Sequence, residues 1–241
     1  RRQRYLFEYF NSYPMKVRKR VEYVTTDMYK PYIDLAEKVF PHANIVVDKF
    51  HIVQLLTREL NKLRINEMKK LNTRSREYKI LKRYWKIPLT RKRDLNSIYF
   101  YKNRHFKNMT SSIDILDYML KEFPNLKEAY DFYQNFLLSI SKNDVAMLED
   151  ILNTRTDEIP MCFRKSIKTL KKLRKYVVNS LKYDYTNAMV EGKNNKIKVI
   201  KRVSYGYRSF RNFKARIMLM ERYKIQKGNI HSYKFAMDAA A

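Results

Sequence analysis

The spacing of apolar and polar positions divides the chain into a short mixed segment and a long helical one. Val21-Glu22-Tyr23-Val24-Thr25-Thr26 is β-branched and aromatic, and Ala43-Asn44-Ile45-Val46-Val47 is a short apolar run. Both patterns predict strands. Between them Tyr32, Ile33, Leu35, Ala36, Val39 and Phe40 recur at helical spacing, and Pro41 ends that helix. Strand, helix, strand is a βαβ unit, whose crossover joins parallel strands and brings their ends to one sheet edge. Asp27 ends the first strand and Asp48 the second. From Ile52 to Leu181 the period is helical, passing through Val53, Leu56, Leu60, Leu63, Leu116, Met119, Leu120, Ile167, Leu170 and Leu173. A last helical stretch, from Thr186 to about Tyr223, is interrupted near Ser204-Tyr205-Gly206-Tyr207. The expected fold class is therefore α/β with a large helical content.

Composition adds a core and a partner. Of 241 residues, 45% are hydrophobic and 14% aromatic, enough for a packed interior. Fifty-two basic against 24 acidic side chains leave a formal charge of +28, which points to a polyanionic partner, double-stranded DNA above all. No apolar run approaches the roughly 20 residues that span a bilayer, so no membrane association is expected. A single cysteine, Cys162, excludes an internal disulfide and a Cys-rich zinc site. The opening RRQRYLFEYF lacks the apolar core of a signal peptide, and a reducing cytoplasm is the expected location. The first residue is Arg1, which suggests a chain that begins inside a longer protein. Charge also varies by block: residues 1–56 carry 10 basic and 6 acidic groups, 57–110 carry 17 and 4, 111–160 carry 4 and 10, and 161–241 carry 21 and 4. These blocks suggest separate structural units.

Two carboxylates on neighbouring parallel strands, roughly 4.8 Å apart, can share a site. They repel unless a cation stands between them, and their hard oxygens suit Mg²⁺ or Mn²⁺. The structural alternative for Asp27 is a helix N-cap. His51 follows Asp48 by three residues, where a helix start puts both on one side; its structural alternative is a hydrogen-bonded residue beside an apolar helix. In Thr186–Arg202, Glu191 is the only acid. A helix there places Asn187, Glu191, Asn195, Lys198 and Arg202 on one face and lets Val190, Ile197 and Ile200 point toward a core. Gly192 costs about 1 kcal/mol relative to alanine inside a helix, which suggests close approach of a ligand backbone beside Glu191. Trp85, the only tryptophan, lies in the basic block Leu81–Lys86, where it could stack on DNA, and burial in the helical core is the expected role.

The segments V-E-Y-V-T-T-D-M-Y-K-P-Y (21–32), F-P-H-A-N-I-V-V-D-K-F-H (40–51), N-A-M-V-E-G-K-N-N-K-I-K (187–198) and Y-G-Y-R-S-F-R-N-F (205–213) occur in this order and bracket almost the whole chain. In them the chain resembles the transposases of the ISL3 insertion-sequence group, related to the Mutator-like DDE enzymes. The resemblance implies a partial RNase H-like catalytic fold of parallel strands plus helices, interrupted by an all-helical insertion. It implies a first catalytic part at 1–56, the insertion at 57–180, a second catalytic part at 181–230 and a tail at 231–241. Asp27 matches the second catalytic aspartate and Glu191 the third catalytic carboxylate, the two holding Mg²⁺ or Mn²⁺; Asp48 and His51 match an accessory D-x-x-H motif. The family's first aspartate belongs to an earlier strand, ahead of the helix expected at residues 1–20, so the alternative is a truncated, non-catalytic DNA-binding remnant. Lys193, Lys196, Lys198, Lys201 and Arg202 would neutralise phosphates, and Tyr205, Tyr207 and Arg208 would contact DNA near a transposon end. The implied partners are double-stranded DNA, as transposon ends and target, and further copies of the chain in a synaptic complex. The implied setting is the bacterial cytoplasm, in association with the nucleoid.

Overall fold

The computed structural model describes residues 3–222. The tail expected at 231–241, with residues 223–230 before it, lies outside the described residues. Two compact units divide the chain, residues 1–186 and 187–241.

The first unit opens with α1 (Gln3–Asn11) and the single-turn α2 (Met15–Arg18), in place of one helix over residues 1–20. β1 (Tyr23–Thr26), α3 (Lys30–Val39) and β2 (Asn44–Val47) then form the expected βαβ unit. Pro31 starts α3 in the first turn, where its missing N–H costs nothing. The strands are parallel, with Tyr23 opposite Asn44 and Thr26 opposite Val47. Among the described residues the sheet has these two strands only.

β2 runs into the long helix α4 (Lys49–Lys69), which buries Ile52, Leu56 and Leu60. Against it pack α5 (Arg76–Arg83), α7 (Pro124–Lys142), α9 (Arg164–Lys172) and α10 (Arg174–Lys182), with α6 (Ser112–Glu122) and α8 (Val145–Asn153) packed on α7. The chain is thus mostly helical, and between α5 and α6 its only pairing of extended backbone is an isolated antiparallel bridge, Tyr101 to Thr110. Two polar contacts mark helix junctions inside this block. Buried Arg64 on α4 donates to the Leu81 carbonyl at 2.7 Å, and Thr57 on α4 shares a 2.7 Å hydrogen bond with the Tyr133 hydroxyl on α7.

One continuous apolar core joins the βαβ unit to the helices: Ile33, Ile45 and Val47 belong to the same cluster as Leu56, Met119, Phe136, Phe163 and Val177. Consequently the block edges read from charge do not coincide with structural edges. The edge at residue 56 lies within α4, and α10 packs along β2. Charge records what faces solvent, whereas unit boundaries follow the shared interior. Trp85 corrects another expectation, since it is 42% exposed, two residues beyond the end of α5, with the Lys86 ammonium 5.4 Å from its ring.

The second unit contains α11 (Ala188–Val203) and α12 (Phe210–Arg222). The break between them falls where the sequence placed it. Tyr205 and Gly206 both have positive φ, and Gly206 N–H reaches the Lys201 carbonyl while Tyr205 N–H reaches that of Arg202. That pairing is a Schellman cap, which satisfies carbonyls at the end of α11. Among the described residues no helix is long and apolar enough to cross a membrane.

Candidate carboxylate edge and nucleic-acid surface

Because Thr26 pairs with Val47 in parallel register, Asp27 and Asp48 leave the sheet at the same edge. The Asp48 N–H continues the ladder by donating to the Thr26 carbonyl at 3.0 Å. Their side chains then diverge in role. Asp48 is buried and is the N-cap of α4, accepting from Phe50 N–H at 2.8 Å. Asp27 is half-buried and does not cap α3, whose N-cap is Tyr29. Its Oδ1 accepts from Tyr29 N–H at 3.2 Å in a short Asx turn. No Lys, Arg or His of the described residues stands within ion-pair distance of Asp27. The helix-cap alternative thus describes Asp48, not Asp27. His51 occupies the first turn of α4, its N–H bonded to the Asp48 carbonyl at 3.1 Å and its ring edge-on to Phe50 at 5.4 Å.

Glu191 lies in the first turn of α11, in the second unit, exposed and without an ion-pair partner among the described residues. A carboxylate there also suits the positive end of the helix dipole. Around it, Lys193, Lys196, Lys198, Lys201 and Arg202 are exposed, and Lys196 donates to the Met220 carbonyl at 3.2 Å. Ile200 is buried as expected, but Val190 is 54% exposed, because α12 covers only part of α11. Gly192 has nothing within 4 Å of the place a Cβ would occupy, so no packing within the chain accounts for glycine there.

Three further sequence-predicted contacts separate in the structure. Tyr207 is held within the second unit, its hydroxyl 2.9 Å from Ser204 Oγ and its ring 4.9 Å from Phe213. Arg208 is exposed, and Tyr205 is wholly so.

Among the described residues, no three His, Cys, Asp or Glu side chains gather closely enough to hold a metal ion. The oxygen donors at the edge fit a hard divalent cation in kind, with Asp27 the side chain available to it and Asp48 beside it. The sequence reading also passed over a cluster of cations on α5 and the loop at 104–107, although the block of 17 basic residues between 57 and 110 was its signal.

No solved structure matches this chain. A protein of Lactococcus lactis subsp. lactis described as an ATP-dependent protease is 39% identical over 121 residues, which are 50% of this chain and 38% of that protein. The chain therefore spans well under half the length of that relative. The model of the ISL3 DDE family, described as transposase, matches residues 1–217, nine-tenths of the sequence and all of the elements above except the end of α12. On that match, the chain belongs to the ISL3 family of transposases.

Proposed function

We propose that this chain is the catalytic region of a DDE transposase that cleaves DNA strands at insertion-sequence ends and joins them to a target. The observation that carries the reading is the placement of Asp27, free of a capping duty, beside Asp48 at one edge of a parallel βαβ pair. In this reading the pair is the centre of an RNase H-like fold, and the helices after α4 are the insertion between its two halves. Asp27 and Glu191 would hold the ions, and Asp48 and His51 would shape the edge from the start of α4. Bound Mg²⁺ or Mn²⁺ supplies the Lewis acidity needed for in-line attack of a water or 3′-hydroxyl on a phosphodiester. The exposed cations of α11 neutralise backbone phosphates, which raises affinity without selecting sequence. Further copies of the chain would assemble with the DNA in a synaptic complex.

A second reading is a non-catalytic DNA-binding remnant that occupies transposon ends or interferes with an intact enzyme. It is favoured by the carboxylate edge of residues 1–186, where two acids rather than three ligands come together. The protease description belongs to the lactococcal protein. Here Gly192, Gly206 and Gly228 are not spaced as a phosphate-binding P-loop.

The test is Mg²⁺-dependent nicking of DNA carrying the element's own ends. The unaltered chain should cleave, and Asp27→Asn or Glu191→Gln should abolish cleavage while changing DNA affinity less than about twofold. Undiminished cleavage by either variant refutes the catalytic assignment. Binding without cleavage by the unaltered chain selects the remnant.

A further inference from the structure

Helix α5 is fixed in rotation by Ile80 and Leu81, both fully buried, and its start is capped by Ser75, whose Oγ accepts from Tyr78 N–H at 3.1 Å. With that side committed to the core, Arg76, Lys79 and Arg83 project together along an exposed flank. Arg76 ties this flank to a distant loop. Its Nε donates to the His105 carbonyl at 2.6 Å, and its guanidinium lies 5.0 Å from the Phe106 ring centre and 4.7 Å from that of Tyr118. Arg104 comes with the loop, donating from Nε to His105 Nε2 at 3.2 Å. The His105 imidazole is held below its ordinary pKa first by burial and then by the positive field of Arg104, Arg83, Lys79 and Arg76. Four cations therefore surround one imidazole. No carboxylate of the described residues stands within ion-pair distance of any of the four.

Rings flank this charge. Tyr84 lies 6.4 Å from His105, and the chain from Asn96 to Thr110 holds an apolar tip away from the core. Asn96 fixes the base of that tip, accepting from Ile98 N–H and Tyr99 N–H and donating to the Tyr99 carbonyl, and the Tyr101–Thr110 bridge closes it. The tip is thus a hydrogen-bonded structure, yet Tyr99 is 77% and Phe100 52% exposed. Crowded cations that outnumber the one nearby carboxylate, Glu77, repel one another, and ordered rings facing water gain nothing from packing. Both conditions are relieved by one class of ligand, a strand whose phosphates neutralise the cations and whose unpaired bases stack on the rings.

We infer that α5 and the 96–110 loop form a second DNA-binding surface, apart from the carboxylate edge, that takes a single-stranded DNA segment. Lys79, Arg83 and Arg104 contact its phosphates, and Tyr99, Phe100 and Trp85 contact its bases. The inference rests on the proposed function in taking DNA as the partner, but it involves none of the residues assigned to cleavage.

Trp85 is the only tryptophan, so the intrinsic fluorescence of the full chain reports on this surface. Titration with a single-stranded DNA oligonucleotide should quench it, and rising salt should reverse the quench. The variant Lys79→Gln/Arg83→Gln/Arg104→Gln keeps Arg76, which joins helix to loop. It should lower the log–log salt slope of binding by about 2, from about 0.7 per phosphate contact on single strands. A control that removes as many charges from the exposed face of α9, Lys165→Gln/Lys168→Gln/Lys172→Gln, should leave the slope nearly unchanged. Equal slopes for the two triple variants overturn the inference, as does saturable binding without a change in Trp85 emission. A stronger response to RNA of the same sequence overturns the assignment to DNA. These readouts are binding and fluorescence and need no cleavage, so failure of the cleavage mechanism and failure of this surface are read separately.

Discussion

Asn179 donates from Nδ2 to the main-chain carbonyl of Ile45 at 2.9 Å, across 134 residues of sequence. β1 occupies one side of β2, and this bond satisfies a carbonyl on the other, where an edge strand otherwise leaves its backbone unpaired. It is how the chain, after its helical excursion, is fastened back onto the strand that precedes Asp48. Asn179→Ala should lower unfolding stability by about 1–3 kcal/mol, the cost of stranding a buried acceptor. Asn179→Asp, which sets a carboxylate against the carbonyl, should cost more. Urea unfolding curves measure both, and an Asp variant as stable as the parent would contradict the donor role.

Asp48 combines a structural duty with a candidate chemical one, and two substitutions separate them. Asn caps a helix about as well as Asp, so Asp48→Asn should change stability by less than about 0.5 kcal/mol, whereas Asp48→Ala should cost about 1 kcal/mol. If the negative charge of Asp48 serves the carboxylate edge, Asp48→Asn should lose most Mg²⁺-dependent cleavage at unchanged thermal stability. Full activity in the Asn variant would confine Asp48 to capping.

Tyr205 has φ of 51° and stands fully in solvent at the turn between α11 and α12. A bulky residue in the left-handed region carries strain of about 1–2 kcal/mol that glycine avoids. Tyr205→Gly should therefore stabilise the turn by up to about 1 kcal/mol, the gain being reduced by glycine's larger freedom in the unfolded chain. The same change should weaken binding to DNA with unpaired ends about fivefold or more, the loss of one stacked base. Calorimetry and DNA titration together check this, and a Gly variant that is less stable yet binds as well would refute it.

His105 gives the DNA complex a pH dependence with a definite sign. Its folded pKa lies below the ordinary 6.5, through burial first and then Arg104, Arg83, Lys79 and Arg76. The unfolded chain therefore binds the proton more readily, and the free protein should lose stability as pH falls from about 6.5 into the acid range. DNA phosphates among those cations reverse the local field and raise the imidazole pKa. Binding should then take up a proton, and affinity should rise as pH falls from 8 to 6. His105→Gln should flatten the part of that rise that depends on this ring. An identical pH profile for parent and variant would remove His105 from the surface.

By itself the sequence determined what local spacing encodes. The β-branched and aromatic run at 21–26, the apolar run at 43–47 and the helical period between them specified a parallel pair with Asp27 and Asp48 at one edge. The Ser204–Tyr207 interruption specified the turn after α11. Such signals lie within a few residues of the feature they predict, so they can be read without the fold. The tertiary structure decided which faces meet. It made Asp48 and not Asp27 the helix cap, left Trp85 and Val190 in solvent, and brought α10 back along β2. It also gathered Arg76, Lys79 and Arg83 with Arg104 from a loop some twenty residues later. Each of these outcomes depends on competition among apolar faces for a shared core, and that competition is settled by contacts between residues distant in sequence, about which periodicity carries no information.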